Sequence, residues 1–257
     1  MLNLKCKAAV VLSCTDNKKY SQWIEYTTKT WKLLGVDPIL ITVGFSLPST
    51  TVYESYEIKN TYKAPDSSLA QLVRLFYPAI CTDYDTVIIG DIDQIPLPNN
   101  YFKKYLEMSH NQNTFVGMRY VKGQYFMGWN TAPPKVWSKL IREVYSEQDV
   151  KDSLAKFYQN NTPYWSLDQA LLTKQLRQFK NKQTIENLNL YAIEITDNGL
   201  VKRGLFACNK PEPAKPIEDL TLIDKDQFVG AGTATAKYFN EELLKKVIKH
   251  FFNENIL

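Results

Sequence analysis

The chain has 257 residues, of which 44% are hydrophobic and 23% charged, and a net charge of +4. Such a length buries a sizeable core and fits one α/β domain. The charge is mild and spread without a dense Lys/Arg block, which excludes a nucleic-acid footprint. His110 and His250 are the only histidines, which rules out a His-rich metal centre and argues against a Ser-His-Asp triad. Cys6, Cys14, Cys81 and Cys208 stand at no metal-knuckle or redox spacing and read as reduced thiols. No apolar run approaches the ~20 residues of a membrane span. The opening Met-Leu-Asn-Leu-Lys-Cys-Lys has no signal-peptide core, so a soluble, cytoplasmic protein with no transmembrane segment is expected.

In chain order, Ala8 to Leu12 is a short apolar strand that ends in the polar loop Ser13-Cys-Thr-Asp-Asn17. Tyr20 to Leu34 has helical periodicity, with Trp23, Thr27, Trp31 and Leu34 on one stripe and Gly35 as its stop. Pro38 to Val43 is a second strand. Strand, helix and strand within so short a stretch form a βαβ unit and imply a parallel sheet. Residues 45–66 read as irregular, with a short strand near Val52 to Ile58. A helix over Ser68 to Phe76 follows, capped by Asp66 or Ser67 and buried through Leu69, Leu72, Val73 and Phe76. Arg74 lies off that stripe.

The next strand is the most informative segment, Asp85-Thr-Val-Ile-Ile-Gly-Asp91-Ile-Asp93-Gln-Ile-Pro96. With 14 Asp in the chain, an Asp-x-Asp triplet arises by chance roughly 0.8 times, so the triplet alone says little. Asp83-Tyr-Asp85 and Asp224-Lys-Asp226 are two more examples. Context singles out the middle one. Val87, Ile88 and Ile89 read as a fully buried strand, Gly90 admits close approach of backbone or ligand, and Pro96 and Pro98 end ladder pairing. Two carboxylates at a strand tip are hard oxygen donors suited to Mg2+ or Mn2+. In open α/β sheets ligands bind beyond the carboxyl ends of the strands, an edge that Asp16, Asp91 and Asp93 would share.

Beyond Asp93, Tyr101 to Met108 reads as a helix, Thr114 to Met118 as a strand, and Gln124 to Asn130 as an aromatic strand or loop. Pro134 opens a helix over Lys135 to Tyr145, and residues 146–161 read as a connection or helix. Ser166 to Phe179 is a helix whose Ser166 and Gln169 match a capping box. Tyr191 to Ile195 is a strand, Pro211 to Pro216 a loop, and Asn240 to Phe252 an amphipathic helix with Leu244, Val247 and Phe251 inward.

The block Leu72-Val-Arg74-Leu-Phe-Tyr-Pro78, then Asp83-Tyr-Asp85, then Val87-Ile-Ile-Gly-Asp91-Ile-Asp93, resembles nucleotide-diphospho-sugar glycosyltransferases of the GT-A fold. In pattern it is similar to their family 8, the glycogenin-like and galactosyltransferase-like branch, which includes compact viral and bacterial members. The resemblance implies an α/β, Rossmann-like single domain over residues 1–257 with a mixed, mainly parallel sheet flanked by helices. Residues 1–98 would form its nucleotide-sugar-binding half and 99–257 its acceptor-binding half. It implies a metal-dependent transferase that moves a hexosyl or related sugar from a nucleotide-diphosphate donor, with a UDP-sugar as the family default, to a glycan or other hydroxyl acceptor.

The resemblance also implies roles. Asp91 and Asp93 would bind Mn2+ or Mg2+, and Asp91 also the donor. Arg74 would contact the donor sugar or phosphates. Ser13, Thr15 and Asp16 would line the base pocket with Tyr20 nearby, and Ile92 and Gln169 would lie against the donor. Trp129 and Trp165, with Tyr164, would meet the acceptor. In Trp165-Ser-Leu-Asp168-Gln169, Asp168 would be the catalytic carboxylate: general base if the configuration inverts, and part of the region stabilising front-face attack if it is retained. The chain departs from the family at its late metal ligand. In place of that His it has Asp226-Gln227-Phe228, so ligation would rest on the Asp pair with Asp226 or Gln227. Two other readings use the same motif: a phosphatase of the haloacid-dehalogenase type, with the first Asp as nucleophile, and a non-catalytic sugar-nucleotide-binding module.

Overall fold

The computed structural model describes residues 3–96, 100–121, 124–125, 127, 130–141, 144–162, 166–182, 190–194, 233–235 and 241–252. Among these, the strands are β1 (Ala8–Thr15), β2 (Asp37–Val43), β3 (Glu54–Ile58), β4 (Thr86–Ile89), β5 (Gln94–Pro96), β6 (Phe115–Val121), β7 (Gln124–Tyr125), β8 (Asn130–Ala132), β9 (Leu190–Glu194) and β10 (Thr233–Thr235). The helices are α1 (Lys18–Ser21), α2 (Ile24–Leu33), α3 (Asp66–Phe76), α4 (Asn100–Gln112), α5 (Pro134–Leu140), α6 (Glu147–Asn160), α7 (Leu167–Lys182) and α8 (Glu241–Phe252). A 3-10 turn, Tyr77–Ile80, extends α3.

The main sheet has the order β3-β2-β1-β4-β8-β6-β7, with β9 alongside β6. It is parallel from β3 through β4. β8 enters antiparallel between β4 and β6, and β7 is antiparallel to β6. β9 pairs parallel to β6. This is the expected α/β architecture with a mixed sheet. β5 and β10 form a separate antiparallel ribbon.

The continuous apolar runs reflect burial on both faces of the parallel half. Strand alternation sends Ala8, Val10, Leu12, Cys14, Leu40 and Ile88 into one core cluster with Trp31, Leu34, Phe102 and Leu106 of the helices on that side. Ala9, Val11, Ile39, Ile41, Val87 and Ile89 enter the other, with Leu69, Leu72, Trp137, Leu154 and Leu172. Each fully buried side chain of this size contributes about 1.5–3 kcal/mol, so both layers anchor β1 and β4, the strands that lead to Asp16 and to Asp91.

Several elements differ from their sequence reading for identifiable reasons. The helix expected over Tyr20 to Leu34 is two helices. α1 is capped by Asn17, whose Oδ1 accepts from Lys19 N at 3.0 Å, and the chain breaks at Gln22 and Trp23 before α2. The expected stripe is nonetheless buried, and Gly35 ends α2 at φ 84° as expected. α3 starts at Asp66, after Pro65; its N-cap makes no side-chain hydrogen bond, so neither Asp66 nor Ser67 is the cap. α5 ends at Leu140, not Tyr145. The stretch after it is helical because Ser146 Oγ accepts from Asp149 N (3.1 Å) while Asp149 Oδ2 accepts from Tyr145 N (3.0 Å). At α7 the Ser166–Gln169 box does not form. Ser166 sits at φ 65°, and the Gln169 amide donates to Asp168 Oδ1 at 2.8 Å. The predicted loop Pro211 to Pro216 lies outside the described residues, as do Leu244, Val247 and Phe251 as side chains; Ile248 is the buried residue described on α8.

The path of α3 positions the site. It crosses the carboxyl ends of three adjacent strands. Asp66 lies beside Gly44, just past β2, with Oδ2 only 3.0 Å from where a Cβ on that glycine would stand. The Ala70 carbonyl accepts from Ser13 Oγ on β1 at 2.6 Å. Arg74 reaches Asp91, just past β4. Four helical residues advance ~6 Å and neighbouring strands lie ~4.8 Å apart, so each helical turn meets the next strand.

Candidate functional site

The turn after β4 is held from two sides. Gly90 N donates to Val11 O at 3.0 Å, and Gln94 N closes the turn onto Asp91 O at 3.1 Å. From α2, the buried Thr27 hydroxyl donates to Ile92 O at 2.6 Å. Gly90 is not at positive φ. A Cβ there would stand 2.8 Å from Leu12 Cδ2 and 3.0 Å from Val10 Cγ2, so the glycine is required by packing of the turn onto β1. Of the backbone and ligand alternatives read from sequence, the close approach is to protein side chains.

From this turn Asp91 projects partly exposed (22% for its side chain), whereas Asp93 is 7% exposed. Arg74 joins the turn to α7. Its Nη1 donates to Asp91 Oδ1, and its Nη2 donates to Asp168 Oδ2 at 2.7 Å. The guanidinium side chain is 11% exposed and the Asp168 side chain 1%. Arg74 Nε is buried with no hydrogen-bond partner among the described residues. Burial pulls the Arg74 pKa down, but Asp91 and Asp168 outweigh it and the net shift is upward. Asp168 is shifted upward by burial, against the opposing pull of Arg74 and the Gln169 amide.

The β1 loop approaches the same place. The Cys14 thiol is pushed up to about 12 by burial, offset by its contact with Thr15 O and reinforced by Asp16 and Asp93, so both carboxylates lie within electrostatic reach of it. Asp16 is exposed and Thr15 half-buried, with Oγ1 accepting from Asn17 N at 3.4 Å. Ser13 is buried and its hydroxyl is committed to the Ala70 carbonyl, so what it can offer the edge is its place in β1. Tyr20 and Gln169 are half-buried. Ile92 is buried, with its carbonyl held by Thr27.

Arg74, Asp91 and Asp168 are thus linked directly, and Asp93, Asp16 and Thr15 lie on the same edge. Trp129, Tyr164, Trp165, Asp226, Gln227 and Phe228 lie outside the described residues. The other described Asp-x-Asp pair is exposed, and Asp85 Oδ2 accepts from Lys7 N at 2.8 Å, a structural use. Two residues went unread from sequence: Thr27, which clamps the turn, and Ala70, whose carbonyl fixes Ser13. Thr27 was visible only as part of a buried stripe. Nothing local announces a partner 65 residues away.

Asp91 and Asp93 fit a hard divalent cation by donor chemistry, both being carboxylates, and the nearby Cys14 is held as a thiol by burial, which leaves it a poor ligand. No group of three or more His, Cys, Asp or Glu able to hold a metal occurs among the described residues, so a cation here would take part of its coordination from ligand oxygens and water. A cleft of about 460 Å3 along α4, lined by Lys103, Lys104, Glu107, Met108 and Asn111, shares no residue with this site. No described helix is long and apolar enough to cross a membrane.

The fold and site therefore define an α/β protein with a carboxylate- and arginine-bearing centre at the carboxyl edge of its sheet. No protein-family model matches the chain, and no curated protein matches it. Among solved structures it is similar to the apo form of the glycosyltransferase GlyE of Streptococcus pneumoniae TIGR4, with 19% identity and a TM-score of 0.46, covering 74% of this chain and 45% of that one. A second GlyE structure gives 17% identity and a TM-score of 0.45 over 77% and 47% of the two chains. The galactosyltransferase LgtC, in complex with donor and acceptor sugar analogs, gives 13% identity and a TM-score of 0.37 over 57% and 70%. The chain thus spans less than half the length of the GlyE chains. Likeness at this level carries no functional argument.

Proposed function

We propose that the chain is a metal-dependent glycosyltransferase that takes a sugar from a nucleotide-diphosphate donor, a UDP-sugar by default, to a hydroxyl of a glycan acceptor. The observation that supports this most is the bridge Asp91–Arg74–Asp168 next to the buried Asp93, which brings a guanidinium together with the carboxylates of the turn and of α7. In this reading Asp91 and Asp93 hold Mn2+ or Mg2+. Bound there, the cation supplies Lewis-acid neutralisation of the departing diphosphate.

Each of this chain's own residues then has a task. Arg74 presents a planar fork of donors that suits diphosphate oxygens and adds positive charge where the leaving group becomes more negative. Thr15 and Asp16 at the end of β1 and Tyr20 on α1 flank the nucleoside. Gly90, pinned to β1, and Thr27, holding Ile92 O, keep the aspartate turn from yielding as charge develops. Asp168 takes the proton of the acceptor hydroxyl in a direct displacement, a role favoured by its raised affinity for a proton. Trp129 and Trp165 are assigned to the acceptor side on the family resemblance.

A thermal-shift screen of sugar nucleotides with and without Mn2+ tests this. A ligand at 100 times its Kd stabilises by about 2.7 kcal/mol, which for a domain of this size raises Tm by roughly 5–10 °C. The proposal expects one nucleotide-sugar to give that shift with Mn2+ and a much smaller one in EDTA. No shift from any sugar nucleotide, with or without metal, would overturn it.

A further inference from the structure

We infer that Arg74 is a positioning residue that occupies the charge position of the cation while none is bound, and that binding of a divalent cation requires it to release Asp91. The inference rests on the metal-binding part of the reading above and deepens it. Three observations carry it. Arg74 makes an ion pair with Asp91 itself, through Nη1 to Oδ1. Its second arm is anchored on Asp168, whose side chain is 1% exposed, at 2.7 Å, so the guanidinium is held in place from α7. Its Nε is buried with no partner among the described residues, so one of its donors has no acceptor supplied by them.

A guanidinium seated on a carboxylate oxygen and a divalent cation on the same carboxylate repel each other. In a site this buried the repulsion is weakly screened. The cation therefore binds against the Asp91–Arg74 contact, and binds poorly by itself. A nucleoside diphosphate changes the balance. Its oxygens offer Arg74 a new acceptor for the released Nη1 and for Nε, and they supply the cation with the ligands that two aspartates lack. Cation and diphosphate thus bind with positive coupling, and Arg74 is the residue through which much of that coupling passes. The same movement loosens the hold on Asp168 Oδ2, so the carboxylate that takes the acceptor proton is uncovered only when the donor is in place.

The test measures Mn2+ binding by calorimetry or by the EPR signal of the free ion, with no sugar and no turnover. It uses the wild type, Arg74→Gln and Arg74→Lys, each alone and with saturating uridine diphosphate. The expected result for Arg74→Gln is Mn2+ affinity tightened roughly tenfold in the absence of nucleotide, as a competing buried charge is removed. Its enhancement by uridine diphosphate shrinks by a similar factor, and Arg74→Lys restores the wild-type pattern in part. A residue that only supported the fold would weaken both measurements. Because Arg74→Gln leaves Asp168 buried without its partner, the doubly substituted Arg74→Gln/Asp168→Asn chain is measured alongside, and it should show the same tightening. Unchanged or weaker Mn2+ binding in both variants overturns the inference while leaving the metal site standing. A wild type that binds no Mn2+ even with uridine diphosphate overturns the metal-dependent reading and this inference with it.

Discussion

Gly90→Ala isolates the packing that seats the aspartate turn. The added Cβ would stand 2.8 Å from Leu12 Cδ2 and 3.0 Å from Val10 Cγ2, where ordinary contact is 3.4–4 Å. Both neighbours are fully buried, so relief has to come from shifting the Leu12 and Val10 methyls within the core, and β1 is paired on one side with β2 and on the other with β4. Gly90 itself is tied to Val11 O at 3.0 Å. Overpacking of this kind costs about 1–3 kcal/mol. Because Gly90 is not at positive φ, alanine also stiffens the unfolded chain, which offsets about 0.4–1 kcal/mol. The net loss of about 1–2 kcal/mol lowers Tm by roughly 2–8 °C, read by circular dichroism melts. A double-mutant cycle sharpens the claim. Leu12→Ala alone costs about 2–5 kcal/mol, but should cost clearly less in the Gly90→Ala background, where it removes the clash. An alanine variant as stable as wild type, or an additive cycle, would refute the packing account of this glycine and return it to ligand approach.

Two further outcomes follow from the site. Asp93→Asn should lower turnover by about two to three orders of magnitude, the range for losing a principal electrostatic stabiliser, and leave the melt within a few degrees of wild type; full activity would remove the Asp pair from the chemistry. Asp168 has a raised pKa through burial, so the native chain keeps a proton that the unfolded chain has lost. Its contribution to stability is present below the ordinary carboxylate value of about 3.9 and declines as pH rises from there through the folded-state value, by at most about 1.4 kcal/mol per pH unit. Urea unfolding at a series of pH values across the acid range should show that decline in wild type and its absence in Asp168→Asn; parallel curves would refute the burial argument.

What the sequence disclosed and what it hid follow one physical division. Val87–Ile89, Ala8–Leu12 and Pro38–Val43 were legible because strands buried on both faces must be apolar throughout, and βαβ order then dictates a parallel pairing. Asp16, Asp91 and Asp93 followed at the same edge for the same reason. The division of Tyr20–Leu34 into α1 and α2 was hidden, since the break falls at Gln22 and Trp23, where composition carries no stop signal. The helix over residues 147–160 was half legible: Ser146 and Asp149 form a reciprocal cap that the sequence spells out and that its polar composition masked. Arg74 and Asp168 were each singled out in the sequence as candidate site residues. Their ion pair was not, because it spans 94 positions and depends on how α3 is laid across the strand ends. Asp168 shows the limit most clearly. An acid in a first helical turn is ordinarily a solvated partner of the helix dipole, yet here it is 1% exposed and faces a guanidinium.

The charge of the edge bears on the order in which ligands arrive. Asp16, Asp91, Asp93 and Asp168 set four carboxylates against Arg74, while Lys18 and Lys19 are exposed, where solvent and salt screen them. A diphosphate entering alone would add negative charge to these carboxylates, and Arg74 is engaged by two of them. A cation entering alone meets that same guanidinium on Asp91. On the proposed function each ligand would remove the obstacle to the other: the cation would neutralise the carboxylates that repel the diphosphate, and the diphosphate would draw off the arginine that repels the cation. A site with this balance would favour the metal–nucleotide complex over either component, because Arg74 is bound to the aspartate that the proposed cation would take.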